Sequence, residues 1–317
     1  MSSVIRFPLL CVLLALAFPA SSNDLLNGVL QQAIGQAITQ GVQKPGGVEQ
    51  LFKSVTGQSA TGDEAGRAPG GATGKFENGA AFHADYIVQA WKTPASAGTL
   101  PGESGTAKGR INPKTGYGGK LSEPGAAAMR AKLDKMYGLL LKQPPLMNVQ
   151  GVSLMQGGSF GGKRGAATKT AVMASLMVYA FPINLENKAT VRDADGSFYT
   201  PGEGDNLNIV VNDPHDLANP VVLGTYNGLT VLRRGGGYRL VVLNTDRPLL
   251  VNGELNKDLI DPSRPASDIQ FMVIYMGAAS PTWSSIGKGT LHPASGPGRM
   301  LGVMFNTDWP GLLKQVN

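Results

Sequence analysis

Three strand-like runs lie within a few residues of one another between Val221 and Leu243, and that spacing constrains the fold more than any other feature of the sequence. Val221 to Tyr226, Leu229 to Leu232 and Tyr238 to Leu243 are rich in aliphatic and β-branched residues. Tyr226-Asn227-Gly228 and Gly235-Gly236-Gly237 separate them, leaving turns only two or three residues long. Parallel neighbours need a crossover of about a dozen residues or more, so these turns force antiparallel pairing. Further runs at Asn148 to Met155, Val172 to Phe181, Leu207 to Val211, Ile269 to Met276 and Met300 to Phe305 also read as strands. The expected class is α+β: an antiparallel β-sandwich or curved sheet in the C-terminal half, with a few packed helices and long Gly/Pro-rich loops.

Four zones divide the chain. Residues 1–22 have the make-up of a signal peptide: a basic start ending at Arg6, an apolar run from Phe7 to Phe18, then Pro19 and the small residues Ala20-Ser21-Ser22. The run is too short for the roughly 20 residues that cross a bilayer, so cleavage after Ser22 is expected. Residues 23–55 read as an amphipathic helical segment, with Leu26, Val29, Leu30, Ala33, Ala37 and Ile38 at helical spacing opposite Gln31, Gln32, Gln36 and Gln40. Residues 56–125 hold 15 glycines and 5 prolines and should be irregular, apart from one strand. That strand is expected where Phe82, Ala84, Tyr86, Val88 and Ala90 alternate with His83, Asp85 and Gln89. Residues 126–317 form the β-rich body, led by a helix for which Ser122 is the expected cap and Pro124 lies in the first turn. Met129, Leu133, Met136, Tyr137, Leu140 and Leu141 make its apolar stripe, and Pro144-Pro145 ends it.

The only cysteine, Cys11, falls inside the expected export signal. The expected mature chain therefore has no disulfide, thiolate metal site or cysteine nucleophile, and must be held together by packing. No asparagine stands in an N-x-Ser/Thr context, which together with cysteine avoidance fits a bacterial exported protein, secreted or periplasmic. No later run is long and apolar enough to span a membrane. From Asn23 to Pro182 there are 16 basic and 9 acidic residues, and from Ile183 onward 11 basic and 13 acidic. The bases are scattered among glycines and not clustered, so nucleic acid is not an expected partner; a cell-envelope polymer, a glycan or a protein is.

Several short patterns carry candidate chemistry. Gly157-Gly158-Ser159-Phe160-Gly161 fits G-x-S-x-G, with Asp246 and His292 completing the order serine, acid, histidine. That arrangement belongs to parallel sheets with helical crossovers, which the tight turns here oppose. Gly157 to Lys163 fits the phosphate-loop spacing, but Arg164 stands where the magnesium-binding hydroxyl belongs. Ser285-Ile286-Gly287-Lys288 and Lys114-Thr115-Gly116 match marks of penicillin-recognising enzymes in the wrong order. Asp193-Ala194-Asp195-Gly196, followed by Glu203 and Asp205, is a candidate calcium loop, because alternating carboxylates before a glycine can converge on one hard cation. The EF-hand spacing fails, with Val191 and Gly202 at its first and last positions. An ordinary Asp-Gly hairpin turn explains the same residues. His83 beside Asp85, and His215 between Asp213 and Asp216, could be carboxylate-oriented bases. Trp283 is the tryptophan best placed in loop-like sequence to stack on a ligand. The function these observations favour is a ligand-binding or envelope-associated protein. A secreted hydrolase, acting through Ser159 or through carboxylates on glycans, and a partner-docking protein are the alternatives.

Overall fold

The computed structural model describes residues 74–113, 116–161, 171–234 and 237–317. The expected export signal, the expected 23–55 helix, Lys114-Thr115 and the Lys163-Arg164 end of the phosphate-loop match lie outside the described residues. Eight strands form one sheet: β1 (Gly116–Gly119), β2 (Val152–Phe160), β3 (Ala174–Pro182), β4 (Asp205–Val211), β5 (Val221–Tyr226), β6 (Leu229–Arg234), β7 (Gly237–Leu243) and β8 (Phe271–Gly277). Their spatial order is β1-β2-β3-β4-β8-β7-β6-β5, and only the β1–β2 pair is parallel. The meander β5–β6–β7 thus runs inward from one edge, and β8 fills the gap between β7 and β4. The short turns produce this meander as expected: Asn227 and Gly228 both take positive φ, at 49° and 73°, the backbone that a two-residue hairpin of matching twist requires.

Alternation along the strands sets two faces. Leu176 and Val178 of β3, Leu207 and Ile209 of β4, Met272 and Ile274 of β8 and Leu240 and Val242 of β7 point to one side and are buried there. Among the described residues six helices accompany the sheet: α1 (Asp85–Lys92), α2 (Gly102–Thr106), α3 (Ala126–Leu140), α4 (Ser280–Gly287), α5 (Gly296–Asn306) and α6 (Trp309–Val316). Ile87 of α1, Leu133 and Met136 of α3, Met300 and Leu301 of α5 and Trp309 of α6 join the same core. The expected stripe of α3 is buried from Met129 through Leu133, Met136 and Tyr137 to Leu140.

Three expected elements differ. The segment around Asp85 is helix α1 and not a strand: its buried residues Ala84, Ile87, Val88 and Trp91 follow the i, i+3, i+4, i+7 spacing of a helix face. Ala81–Phe82 alone pairs, with Gly74–Lys75. The run Met300 to Phe305 lies in helix α5, where every residue from Gly296 to Phe305 is buried. A continuous apolar run has no period of its own to tell helix from strand. The helix start lies upstream, where the Ser295 side chain accepts from the Gly298 amide and Pro297 occupies the first turn. Finally, α3 starts at Ala126 behind Gly125, whose φ is 86°, and not behind Ser122.

Candidate functional site

The second face of the sheet is partly covered by two connections. β7 and β8 are adjacent and antiparallel, yet residues 244–270 separate them. A connection that long in a compact body is unusual and more often serves function than closure. It is anchored by Leu249 and Leu259, which pack with Val210, Leu232, Val241, Phe271 and Val273 on the sheet. Leu217, from the connection between β4 and β5, joins the same cluster.

Polar contacts hold the long connection in shape. Leu250–Val251 pairs with Glu254–Leu255 around Asn252 and Gly253, both at positive φ. The Arg247 guanidinium donates to the carbonyls of Asp258 and Ile260, and the Asn256 amide donates to the Pro248 carbonyl at 2.9 Å. The fully buried Gln270 accepts from the Asp261 amide at 2.7 Å and donates to the Asp261 carbonyl at 3.0 Å. Such side-chain bonds to main-chain groups replace the ladder that an irregular segment lacks.

The β4–β5 connection is fixed by a buried ion pair. Asp213 caps a short helical turn at Pro214–Leu217 by accepting from the His215 amide. Asp216, on that turn, meets Arg239 of β7 at 3.2 Å, with side chains 0% and 8% exposed respectively. The guanidinium also lies 4.6 Å from the centre of the Tyr275 ring.

Between the two connections runs a groove of about 830 Å3, bounded by residues 214–221 on one side and 253–260 on the other. Pro214, Pro220, Val221, Leu255, Leu259 and Ile260 supply apolar lining, and His215, Asn219, Glu254, Asn256 and Lys257 supply polar groups. No Phe, Tyr or Trp side chain among the described residues lines it. A second cavity of about 460 Å3, lined by residues 243–247 with Asp261 and Arg264, lies on the same long connection. Its lining is polar. A hydrogen bond from the Ser263 hydroxyl, then one from the Ser263 amide, holds the Asp261 carboxyl below its ordinary value; Arg247 and Arg264 add to the effect.

The expected site residues fall in different places. Asp246 lines the 460 Å3 cavity. Ser159 lies within strand β2, not on a turn, and its hydroxyl pairs with that of Ser175 at 2.8 Å. His292 precedes α5; its Nδ1 accepts from the Ala294 amide, and burial followed by the Arg299 charge lowers its pKa. No hydrogen bond joins any two of Ser159, Asp246 and His292 among the described residues. The structure therefore does not assemble a serine relay from them.

Asp193 and Asp195 occupy the turn of a small hairpin, Val191–Arg192 with Phe198–Tyr199. Arg110 grips Asp193 with two bonds, of 2.5 and 2.7 Å, and Lys108 reaches Asp195 at 2.9 Å. Hydrogen bonds from these bases, with help from Ser197, hold both carboxyls below their usual range. Glu203 is exposed, while burial raises the Asp205 carboxyl. No group of three or more His, Cys, Asp or Glu side chains suited to a metal ion occurs among the described residues.

His83 is exposed, and its amide donates to the Tyr238 hydroxyl; Asp85 starts α1 and accepts from Gln89. Trp283 lies in helix α4, not in a loop, packed edge-on against Tyr238. No sequence motif announces the groove, although Asn252-Gly253 between Leu250-Val251 and Glu254-Leu255 is a hairpin signal. No family model matches the chain, and no curated protein or solved structure matches it significantly.

Proposed function

We propose that this is an exported binding protein whose ligand, a small amphiphile, lies in the groove between residues 214–221 and 253–260. The groove carries the reading: about 830 Å3, mostly apolar lining and a few polar groups is the character of a small-molecule site. The lack of an aromatic platform argues against a glycan, which would stack on exposed rings. The apolar body of the ligand would lie along Leu255, Leu259 and Ile260, and its polar end would meet Asn219, Asn256 or the charges of Glu254 and Lys257. Export rests on the pattern of residues 1–22.

Native mass spectrometry of protein recovered from the expressing cell's exported fraction tests both parts. The reading predicts a chain starting at Asn23 and carrying a bound small molecule. Ala218 is exposed at the groove wall, so Ala218→Trp should fill the groove without touching the core and remove that mass. A chain retaining Met1 would refute cleavage after Ser22, and absence of the chain from that fraction would refute export. A wild-type protein with no bound mass, or one equally loaded in the variant, would refute the groove.

A further inference from the structure

The 460 Å3 cavity on the long connection carries charges that the groove does not use. Residues 243–247, where the chain leaves β7, enclose it together with Asp261 and Arg264. Leu243 is its one apolar residue among the described residues. Polar contacts, and not apolar burial, must therefore hold whatever enters it.

The two guanidinium groups are fixed but not saturated. Arg247 spends Nη1 on the carbonyls of Asp258 and Ile260, and its Nη2 lies 3.7 Å from the Asp261 carboxyl. Its Nε makes no hydrogen bond among the described residues. Arg264 spends Nε on Asp268 at 3.3 Å and Nη1 on the Asn244 carbonyl, which leaves Nη2 unbonded. The two side chains keep 35% and 27% of their surface accessible, and the bonded edges are the ones turned to the protein. Free donors on a guanidinium held in place suit a carboxylate.

The two acids differ. Asp261 is already compensated: its Oδ1 accepts from the hydroxyl and amide of Ser263 at 2.7 and 2.9 Å, and both arginines favour its charge. Asp246 is exposed, and no hydrogen bond or ion pair engages its carboxylate among the described residues. The Thr245 hydroxyl accepts from the Arg247 amide at 3.2 Å and keeps its proton to donate.

These charges select by exclusion. A plain anion would gain the arginine donors but meet Asp246, and a plain cation would gain Asp246 but meet two guanidiniums. A zwitterion satisfies both. We propose that this cavity is a second binding site, for a small amino acid, with its carboxylate on Arg247 and Arg264 and its ammonium on Asp246. The polar lining fits a small or hydrophilic side chain. No residue lining this cavity lines the groove, so the site stands apart from the one proposed there.

The probes are glycine, acetate and methylammonium, which carry both charges, the negative one alone and the positive one alone. The full chain is titrated at neutral pH and constant ionic strength, and the amide resonances of Thr245, Asp246 and Arg264 are followed. Saturable shifts are expected, with glycine binding about tenfold tighter than either analogue. Asp246→Asn, at an exposed position with no bond to lose, should bring glycine down to the affinity of acetate. Absence of saturable shifts with glycine would overturn the proposal. Glycine binding no tighter than acetate or methylammonium in the wild type would overturn it too, as would a preference for glycine that survives in Asp246→Asn.

Discussion

Asp216 and Arg239 show how much one pair of residues can decide. Both side chains are buried, and the pair ties the groove wall at Pro214–Leu217 to the middle of the sheet. Removing one partner leaves the other charge desolvated, so Asp216→Ala should cost about 3–5 kcal/mol in urea unfolding. Replacing both, as Arg239→Met with Asp216→Leu, should recover most of that loss; a single variant within about 1 kcal/mol of wild type would show the pair to be idle. Arg110 and Asp193 form a more exposed pair with a different signature. The hydrogen bond from Arg110 lowers the folded-state pKa of Asp193, so its stabilisation is fully present above the unfolded carboxylate value of about 4 and is lost as pH falls through the lower folded value. Arg110→Ala should therefore lower Tm at neutral pH, and the gap to wild type should close on acidification. A gap that stayed constant under strong acidification would assign the effect of the variant to lost packing.

At the scale of elements, helix α5 depends on a close approach. A Cβ at Gly302 would come within 2.4 Å of the Trp91 ring and 3.0 Å of Pro145. Gly302→Ala gains about 1 kcal/mol of helix propensity but overpacks a rigid indole, a cost of about 1–3 kcal/mol. Net destabilisation in thermal melts is expected, and a raised Tm would contradict this packing account. The strands of the meander were legible because short turns leave the chain few options: β5 matches its expected bounds, Val221 to Tyr226, and β7 shifts by one residue; β3, β4 and β8, on longer connections, were legible from their apolar, β-branched runs and shift by at most two residues. Helices α1 and α5 were not legible for opposite reasons. Around Asp85 the sequence satisfies both periods, and the deciding residue, Ile87, lies outside the alternating set. In α5 the apolar run is continuous because the helix is buried on all sides.

At the scale of the molecule, one face of the sheet is closed by helices and the other carries the two connections that frame the groove. Asp246 was legible as a site residue only in the sense that it lines a cavity; the partners expected for it lie elsewhere. The groove was not legible because its walls are far apart in sequence and come together on the sheet, where Leu217, Leu249 and Leu259 share one cluster. Amide hydrogen exchange tests the groove most directly, comparing ligand-stripped protein with the same protein after its extracted ligand is restored. Binding should slow exchange in residues 214–221 and 253–260 and leave β1 to β3 unchanged. Protection absent from both segments, or centred on another part of the sheet, would contradict the assignment of the groove as the binding site.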